Sequence, residues 1–452
     1  MGFKKDFVWG VSTAAYQIEG AAYEGKKGLN VWDICCKQPG FVRDKDTGDI
    51  ACDHYHRYKE DVAIMKEMGV KAYRFSISWS RVLPDGTGEI NEEGLDFYDR
   101  LVDELVAAGI EPYITLFHWD YPVALFLRGG WLNPDSSDWF AEYAKVIIER
   151  LSDRVTHWMT LNEPQCFINI GHSDGTHAPG LKLNRGYILQ IMHNALLAHG
   201  KAVQTIRQYS KQPCEIGFAP VAECVIPATE SDADMNAARR AMFDASSFDK
   251  CMWSNALWMD PVYFGAYPKE AVAANEAWWP KIGQNDMKII CQPLDFFGMN
   301  SYQGGTVKAG TENEYEYVKK PVGYPHTDMT WPITPEILHY GPKFFYERYK
   351  LPILVTENGM ANPDVVSLDG KVHDPQRIDF LNRYLREYKK AADEGADLKG
   401  YLQWSLMDNF EWAEGYNQRF GLIYIDYPTG ERIRKDSSYW YAEVIKNNGE
   451  NL

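Results

Sequence analysis

Eight continuous apolar runs, each followed by a segment of helical periodicity, constrain this chain more than any other feature. They begin at Phe7, Val70, Ile110, Val155, Glu215, Leu294, Ile353 and Lys399. A strand that is apolar at successive positions is buried on both faces, as in a parallel sheet covered by helices. Between the runs, apolar residues recur at helical spacing. Tyr58, Val62, Met65 and Met68 form one face, with Gly69 placed to end that helix. Leu95, Tyr98, Val102 and Leu105 form the next, opened by Asn91 as an N-cap and closed by Gly109. Eight such units close into a (β/α)8 TIM barrel, expected as a single catalytic domain over residues 1–452. The alternative, an open doubly wound sheet, would need a glycine-rich phosphate loop after its first strand, and the chain has none. A charged helix is expected around Ser231–Lys250, a last helix from about Ser437 to Ile445, and a surface loop from Gly304 to about Pro325.

In a barrel of this kind the chemistry sits at the C-terminal ends of the strands. The polar residues Gln17, Arg74, His118, Asn162, Glu163, Asn300 and Glu357 fall there, as does Trp404. Two runs end alike: Trp158-Met159-Thr160-Leu161-Asn162-Glu163-Pro164 and Leu354-Val355-Thr356-Glu357-Asn358-Gly359. Pro164 biases the residue before it toward an extended conformation, which would deliver Glu163 at the end of its strand. A lone carboxylate in such a place usually does no more than solvate the start of a loop. Two of them, each with an Asn neighbour, point to acid–base or nucleophilic work on one bound molecule.

A formal charge of −16 excludes a nucleic-acid surface, which needs clustered Lys and Arg. No stretch approaches 18 apolar residues, and Met1–Asp6 is followed by no apolar leader core, so no membrane partner is expected. The chain is expected in the cytoplasm, or to have shed a leader. Eight Cys lie scattered without metal-ligand spacing and are expected as reduced thiols. His54 and His56 open a helix two residues apart and do not share a face. No metal or other cofactor is assigned. The 15 Trp and 28 Tyr fit either a large core or a carbohydrate site, whose sugar rings stack on aromatic planes.

Taken together, the motifs resemble the family 1 glycoside hydrolases, the family of retaining β-glucosidases. The likeness runs through Phe7-Val8-Trp9-Gly10, Gln17-Ile18-Glu19-Gly20, Tyr73-Arg74-Phe75-Ser76 and Phe117-His118-Trp119-Asp120. It continues in Thr160-Leu161-Asn162-Glu163-Pro164, Thr356-Glu357-Asn358-Gly359 and Trp404-Ser405-Leu406-Met407-Asp408-Asn409-Phe410-Glu411-Trp412. The resemblance implies that Glu163 is the general acid/base and Glu357 the nucleophile. Arg74, Asn300 and Tyr302 would support them, with Arg74 and Tyr302 holding the Glu357 pKa down. Gln17, His118, Trp119, Asn162, Trp404, Glu411, Trp412 and Phe420 would contact the sugar, and Cys166 and Trp331 would line the leaving-group side. Ser301 stands where the family often has another aromatic residue.

The implied substrate is a small β-glucoside or short β-linked oligosaccharide; a homo-oligomer is compatible with the chain. Within the family, one branch takes 6-phosphorylated sugars and holds the phosphate with Ser, Lys and Tyr in the last motif. Glu411, Gln418 and Phe420 occupy those places here, and an anionic Glu411 would repel a phosphate. A catalytically inactive glycan-binding relative would have lost one of the two carboxylates, and both are present.

Overall fold

The computed structural model describes residues 3–311 and 315–452, apart from the side chains of Asp249 and Cys251. Eight parallel strands form a closed barrel: β1 Val8–Ser12, β2 Ala72–Ser76, β3 Glu111–Phe117, β4 His157–Asn162, β5 Glu215–Ala219, β6 Phe296–Asn300, β7 Ile353–Asn358 and β8 Leu398–Trp404. All eight expected strands are present, most starting one or two residues later than the apolar runs. Each pairs with its neighbours in sequence. β1 then pairs with β8, Val8 opposite Gly400 through Ser12 opposite Trp404, which closes the ring and excludes the open sheet.

One side chain from every strand fills the barrel axis: Val8, Ala72, Tyr113, Met159, Ala219, Phe296, Leu354 and Leu402. Small residues facing large ones let this layer interdigitate into a plug rather than a pore. The larger apolar cluster lies between the strands and the surrounding helices. The helix Glu92–Ala108 is typical of that outer layer. It buries Leu95, Tyr98, Val102 and Leu105, carries Glu92 and Glu93 in its first turn, and ends at Gly109 with φ +75°. Asn91 does open it, but its side chain does not cap it. The Asn91 amide donates instead to the carbonyls of Gly25 and Arg81.

Two other expectations change. The charged helix stops at Met242, and a second short helix spans Phe248–Cys251. The expected surface loop begins with a strand, Gly304–Lys308, paired parallel to Cys224–Pro227 and antiparallel to Glu316–Tyr317; residues 312–314 of that stretch lie outside the described residues, as do Met1 and Gly2. Its alternation is too short and too polar to read as sheet. A hairpin, Ile423–Asp426 with Glu431–Arg434, also escaped the sequence reading. The seven described cysteines are free thiols, five of them buried. Among the described residues, no helix is long and apolar enough to cross a membrane.

Candidate active site

Arg74 reaches the barrel mouth by simple alternation, since it lies two residues beyond the plug residue Ala72 on β2. The two carboxylates do not. The β4–β5 register shifts between Met159 and Asn162, and the β7–β6 register shifts between Val355 and Glu357. Such irregularities re-aim side chains at barrel rims. Glu163 is not extended as Pro164 led us to expect: its φ is +42°, and the strand ends one residue earlier. Its amide donates to the Ala219 carbonyl (2.8 Å), which holds that left-handed conformation in place. Trp119 and Trp412, at the same mouth, also have positive φ, +79° and +48°. Left-handed backbone in bulky residues costs energy and persists where surrounding contacts impose it. Beyond β7, a Cβ on Gly359 would meet the Trp404 carbonyl at 1.8 Å, so only glycine lets the chain pass there.

The two carboxyls have different company. Arg74 Nη1 donates to Glu357 Oε1 (2.5 Å) and Tyr302 Oη donates to Glu357 Oε2 (2.8 Å). Glu163 Oε1 accepts from Asn300 Nδ2 (2.9 Å) and Glu163 Oε2 from the Cys166 thiol (3.1 Å). Neither donor on Glu163 is charged. Burial, and then the nearby Glu357 carboxylate, raise the Glu163 pKa well above the carboxylate range. Burial raises Glu357 too, so the expectation of a net depression is corrected; Arg74, Tyr302 and Asn300 pull against that rise. With a guanidinium in direct contact, Glu357 is the partner that carries the negative charge first. The shared proton therefore resides on Glu163.

A network holds this pair. Arg74 also donates to Thr115 Oγ1 (3.0 Å) and to Asn162 Oδ1 (2.6 Å). Asn300 Nδ2 bridges Asn162 Oδ1 and Glu163 Oε1, while Thr356 donates to Asn300 Oδ1 (2.5 Å). Thr115 and Thr356 were missed, because a Thr within an apolar strand reads as ordinary β-former. Ser301 leaves Asn300 and Tyr302 in register; its amide donates to the Glu357 carbonyl and its hydroxyl to the Cys224 sulfur (3.3 Å).

The remaining residues converge on the same mouth. Asn162 Nδ2 donates to His118 Nε2 (3.0 Å), and the Trp119 indole donates to the Asn162 carbonyl (3.0 Å). Burial, then Arg74, keep His118 neutral. His118 stacks near Trp404 and Trp412, with ring centroids 5.8 and 6.0 Å away. Gln17 Nε2 lies 3.4 Å from Glu411 Oε2, and burial followed by the Glu357 and Glu163 charges pushes Glu411 up to about 8. Trp331 and Phe420 pack against Tyr302 and each other. After Glu163 the chain winds as a π-helix, Cys166–Asp174, a form recurrent at functional sites. Among the described residues no group of three potential metal ligands occurs. His54 binds Asp61, and His56 binds Asp53 and Glu24.

A model of glycosyl hydrolase family 1 matches residues 1–450. The chain belongs to glycosyl hydrolase family 1. It is therefore a glycoside hydrolase, in a family whose members work with retention of anomeric configuration. β-Glucosidase A of Thermotoga maritima is 45% identical over 99% of this chain and 98% of its own. The solved structure of a family 1 β-glucosidase from T. maritima superposes with a TM-score of 0.90 at 44% identity, covering 99% of both chains. An aryl-phospho-β-D-glucosidase of Bacillus subtilis is 39% identical over 100% of this chain and 98% of its own. Overall identity thus spans relatives named for free and for phosphorylated sugars.

Proposed function

We propose that this chain is a retaining β-glucosidase acting on unphosphorylated β-glucosides, with Glu357 as nucleophile and Glu163 as general acid/base. The observation that carries the assignment is the asymmetry between the carboxyls: a guanidinium and a phenol on Glu357, an amide and a thiol on Glu163. Glu357 is ionised and attacks the anomeric carbon from the α face, while protonated Glu163 gives its proton to the departing glycosidic oxygen. Retention requires carboxyls about 5–5.5 Å apart. Once Glu357 becomes an ester its charge is gone, the Glu163 pKa falls, and Glu163 takes the proton of the incoming water.

Among the described residues, Gln17 Oε1 and His118 Nδ1 are buried without a partner and suit sugar hydroxyls. Asn162 is held by Arg74, Asn300 and His118 where it can reach the 2-OH. Trp404 supplies the platform under the ring, and Trp119, Trp412 and Phe420 the walls. Glu411, raised to about 8, is less anionic near neutral pH than the sequence led us to expect, but with no Lys in the motif nothing there attracts a 6-phosphate. The names of the T. maritima relatives support glucose as the sugar. One catalytic unit over residues 1–452, in a cytoplasm that keeps the thiols reduced, completes the reading.

Azide distinguishes the roles. With Glu163→Ala, an activated glucoside still forms the α-linked glycosyl-enzyme, and azide enters the freed β face to give the β-glucosyl azide. With Glu357→Gly, azide displaces the leaving group directly and gives the α-glucosyl azide. Anomeric coupling constants read the outcome; the opposite products would exchange the two assignments. Higher kcat/KM for a 6-phosphoglucoside than for the glucoside would overturn the substrate class.

A further inference from the structure

Glu223 is a carboxylate that the reaction as derived does not use. It lies three residues beyond the turn that ends β5, on a segment stitched across the barrel mouth. Val221 exchanges two hydrogen bonds with the Gln165 side chain, and the Ala222 amide donates to the Asn300 carbonyl (2.8 Å). Both of these partners adjoin the acid/base: Gln165 is two residues from Glu163, and the Asn300 amide contacts it. The backbone of Glu223 is then fixed on both sides by one side chain, since Asn255 Oδ1 accepts from its N–H and Asn255 Nδ2 donates to its carbonyl. Burial alternates along this segment, with Ala222 and Cys224 buried and Glu223 exposed. The Cys224 thiol faces the Ser301 hydroxyl behind the mouth; the Glu223 side chain therefore lies on the opposite, solvent-exposed face of the segment.

Among the described residues the Glu223 carboxylate has no hydrogen-bonding or ion-pair partner. The side is defined by Glu163 itself. One of its oxygens faces Asn300, toward Glu357 and the sugar; the other faces Cys166. Glu223 is close enough to Cys166 for its charge to act on that thiol. The leaving group must depart on the flank of Glu163 away from Glu357, where Cys166 and Glu223 stand. Glu223 is exposed to solvent, and the protein around it pushes its carboxyl up to about 7.

We propose that Glu223 is the charge selector of the leaving-group subsite, favouring β-glucosides whose leaving group carries hydroxyl or ammonium donors and disfavouring those that carry an anion. This rests on the glucosidase reading above. A carboxylate fixed in a cleft accepts donors without reorganisation and repels an anion held at the same place. The common ligand chemistry is a hydrogen-bond donor, and a second sugar or an aminated aglycone would supply it.

The test uses three aryl β-glucosides of similar leaving ability: 4-methylphenyl, 4-(aminomethyl)phenyl and 4-(carboxymethyl)phenyl. The native enzyme should show kcat/KM about tenfold higher for the ammonium than for the carboxylate substrate, and added salt should shrink the ratio. Glu223→Gln should bring the ratio close to one, and Glu223→Lys should invert it. Because the ratio is read within each variant, any loss common to all substrates cancels. Hydrolysis of all three in proportions that Glu223→Gln and Glu223→Lys leave unchanged overturns the charge selector and spares the glucosidase reading. Failure of the native enzyme to hydrolyse even the 4-methylphenyl glucoside overturns both.

Discussion

Two buried charge clusters, one built from the segments after β7 and β8 and one drawn from β2, β4, β7 and the segment after β8, could hardly differ more in balance. In the first, Asp364, Asp374 and Asp408 meet Arg377, Lys435 and Arg419. Lys435 binds Asp364 and Asp408 at 2.6 Å each, Arg377 binds Asp364 (2.6 Å) and Asp374, and Arg419 binds Asp408 (2.7 Å). Three acids face three bases. Burial alone would raise Asp364, but Lys435 and Arg377 outweigh it and hold the carboxyl below its ordinary value. In the second cluster, Glu163, Glu357 and Glu411 share the barrel mouth with one cation, Arg74, and all three carboxyls are raised. Burial is common to both; counter-charge is not. A matched cluster fixes its protonation and serves structure, whereas an unmatched one keeps a proton loose enough to be given away.

The sharpest way to break this contrast is to remove the loose proton. Glu163→Gln should slow glycosylation by cellobiose roughly 10²–10⁴-fold and barely affect a dinitrophenyl glucoside, whose leaving group needs no acid. The fast substrate should show a burst followed by slow turnover, seen by stopped flow. Equal pre-steady-state losses for both substrates would place the acid elsewhere.

Arg377→Met attacks the other cluster. Leaving buried carboxylates uncompensated should cost about 3–5 kcal/mol in denaturant unfolding, while kcat/KM of the folded fraction stays native. The sign with pH follows from Asp364. Its lowered folded pKa contributes stability that is present above the unfolded carboxylate value and lost as pH falls through the folded one. That acid-side loss should shrink in the variant.

A titration sharpens the comparison further. Trapping Glu357 as a 2-fluoroglucosyl ester removes one of the two causes that raise Glu163. The carboxyl carbon of labelled Glu163 should then titrate about one unit lower or more, yet stay above an exposed Glu because burial, the larger cause, remains. No movement on trapping would mean that the two carboxyls do not sense one another.

The smallest effect concerns Glu411. A carboxyl raised to about 8 by folding is destabilising as pH climbs from its unfolded value toward 8, because the unfolded chain ionises more easily. Glu411→Gln should therefore raise Tm by roughly 1–2 °C at pH 8 and not at pH 4, measured by calorimetry. Some stability is given up at the mouth for function.

The sequence carries the barrel openly, because strands buried on both faces are written as unbroken apolar runs and the helices between them keep their period. It also carries Arg74, Glu163, Glu357 and their neighbours as polar residues at strand ends. It does not carry the register shifts before Asn162 and Glu357, since slipping one residue leaves composition and spacing unchanged. For the same reason Pro164 misled about Glu163: a local preference for extended backbone lost to the hydrogen bond from its amide to Ala219. The Asp364–Arg377–Lys435 network was equally invisible, as its members come from segments with no common period. Glu223, the one charge in the apolar stretch Pro220–Ala228, drew no reading from sequence, because what distinguishes it is the lack of a partner.

The pairing of β1 with β8 also fixes an order of events in time. Val8 finds Gly400 only after the intervening chain has been made, and at 5–20 residues per second that interval is roughly 20–80 s. Throughout it one edge of the first strand is unsatisfied, and an open apolar edge is a template for wrong partners. A ribosome-bound chain of this kind thus spends most of its synthesis waiting for its last strand, and variants that delay translation of residues 398–404 should tax chaperones before they touch the finished enzyme.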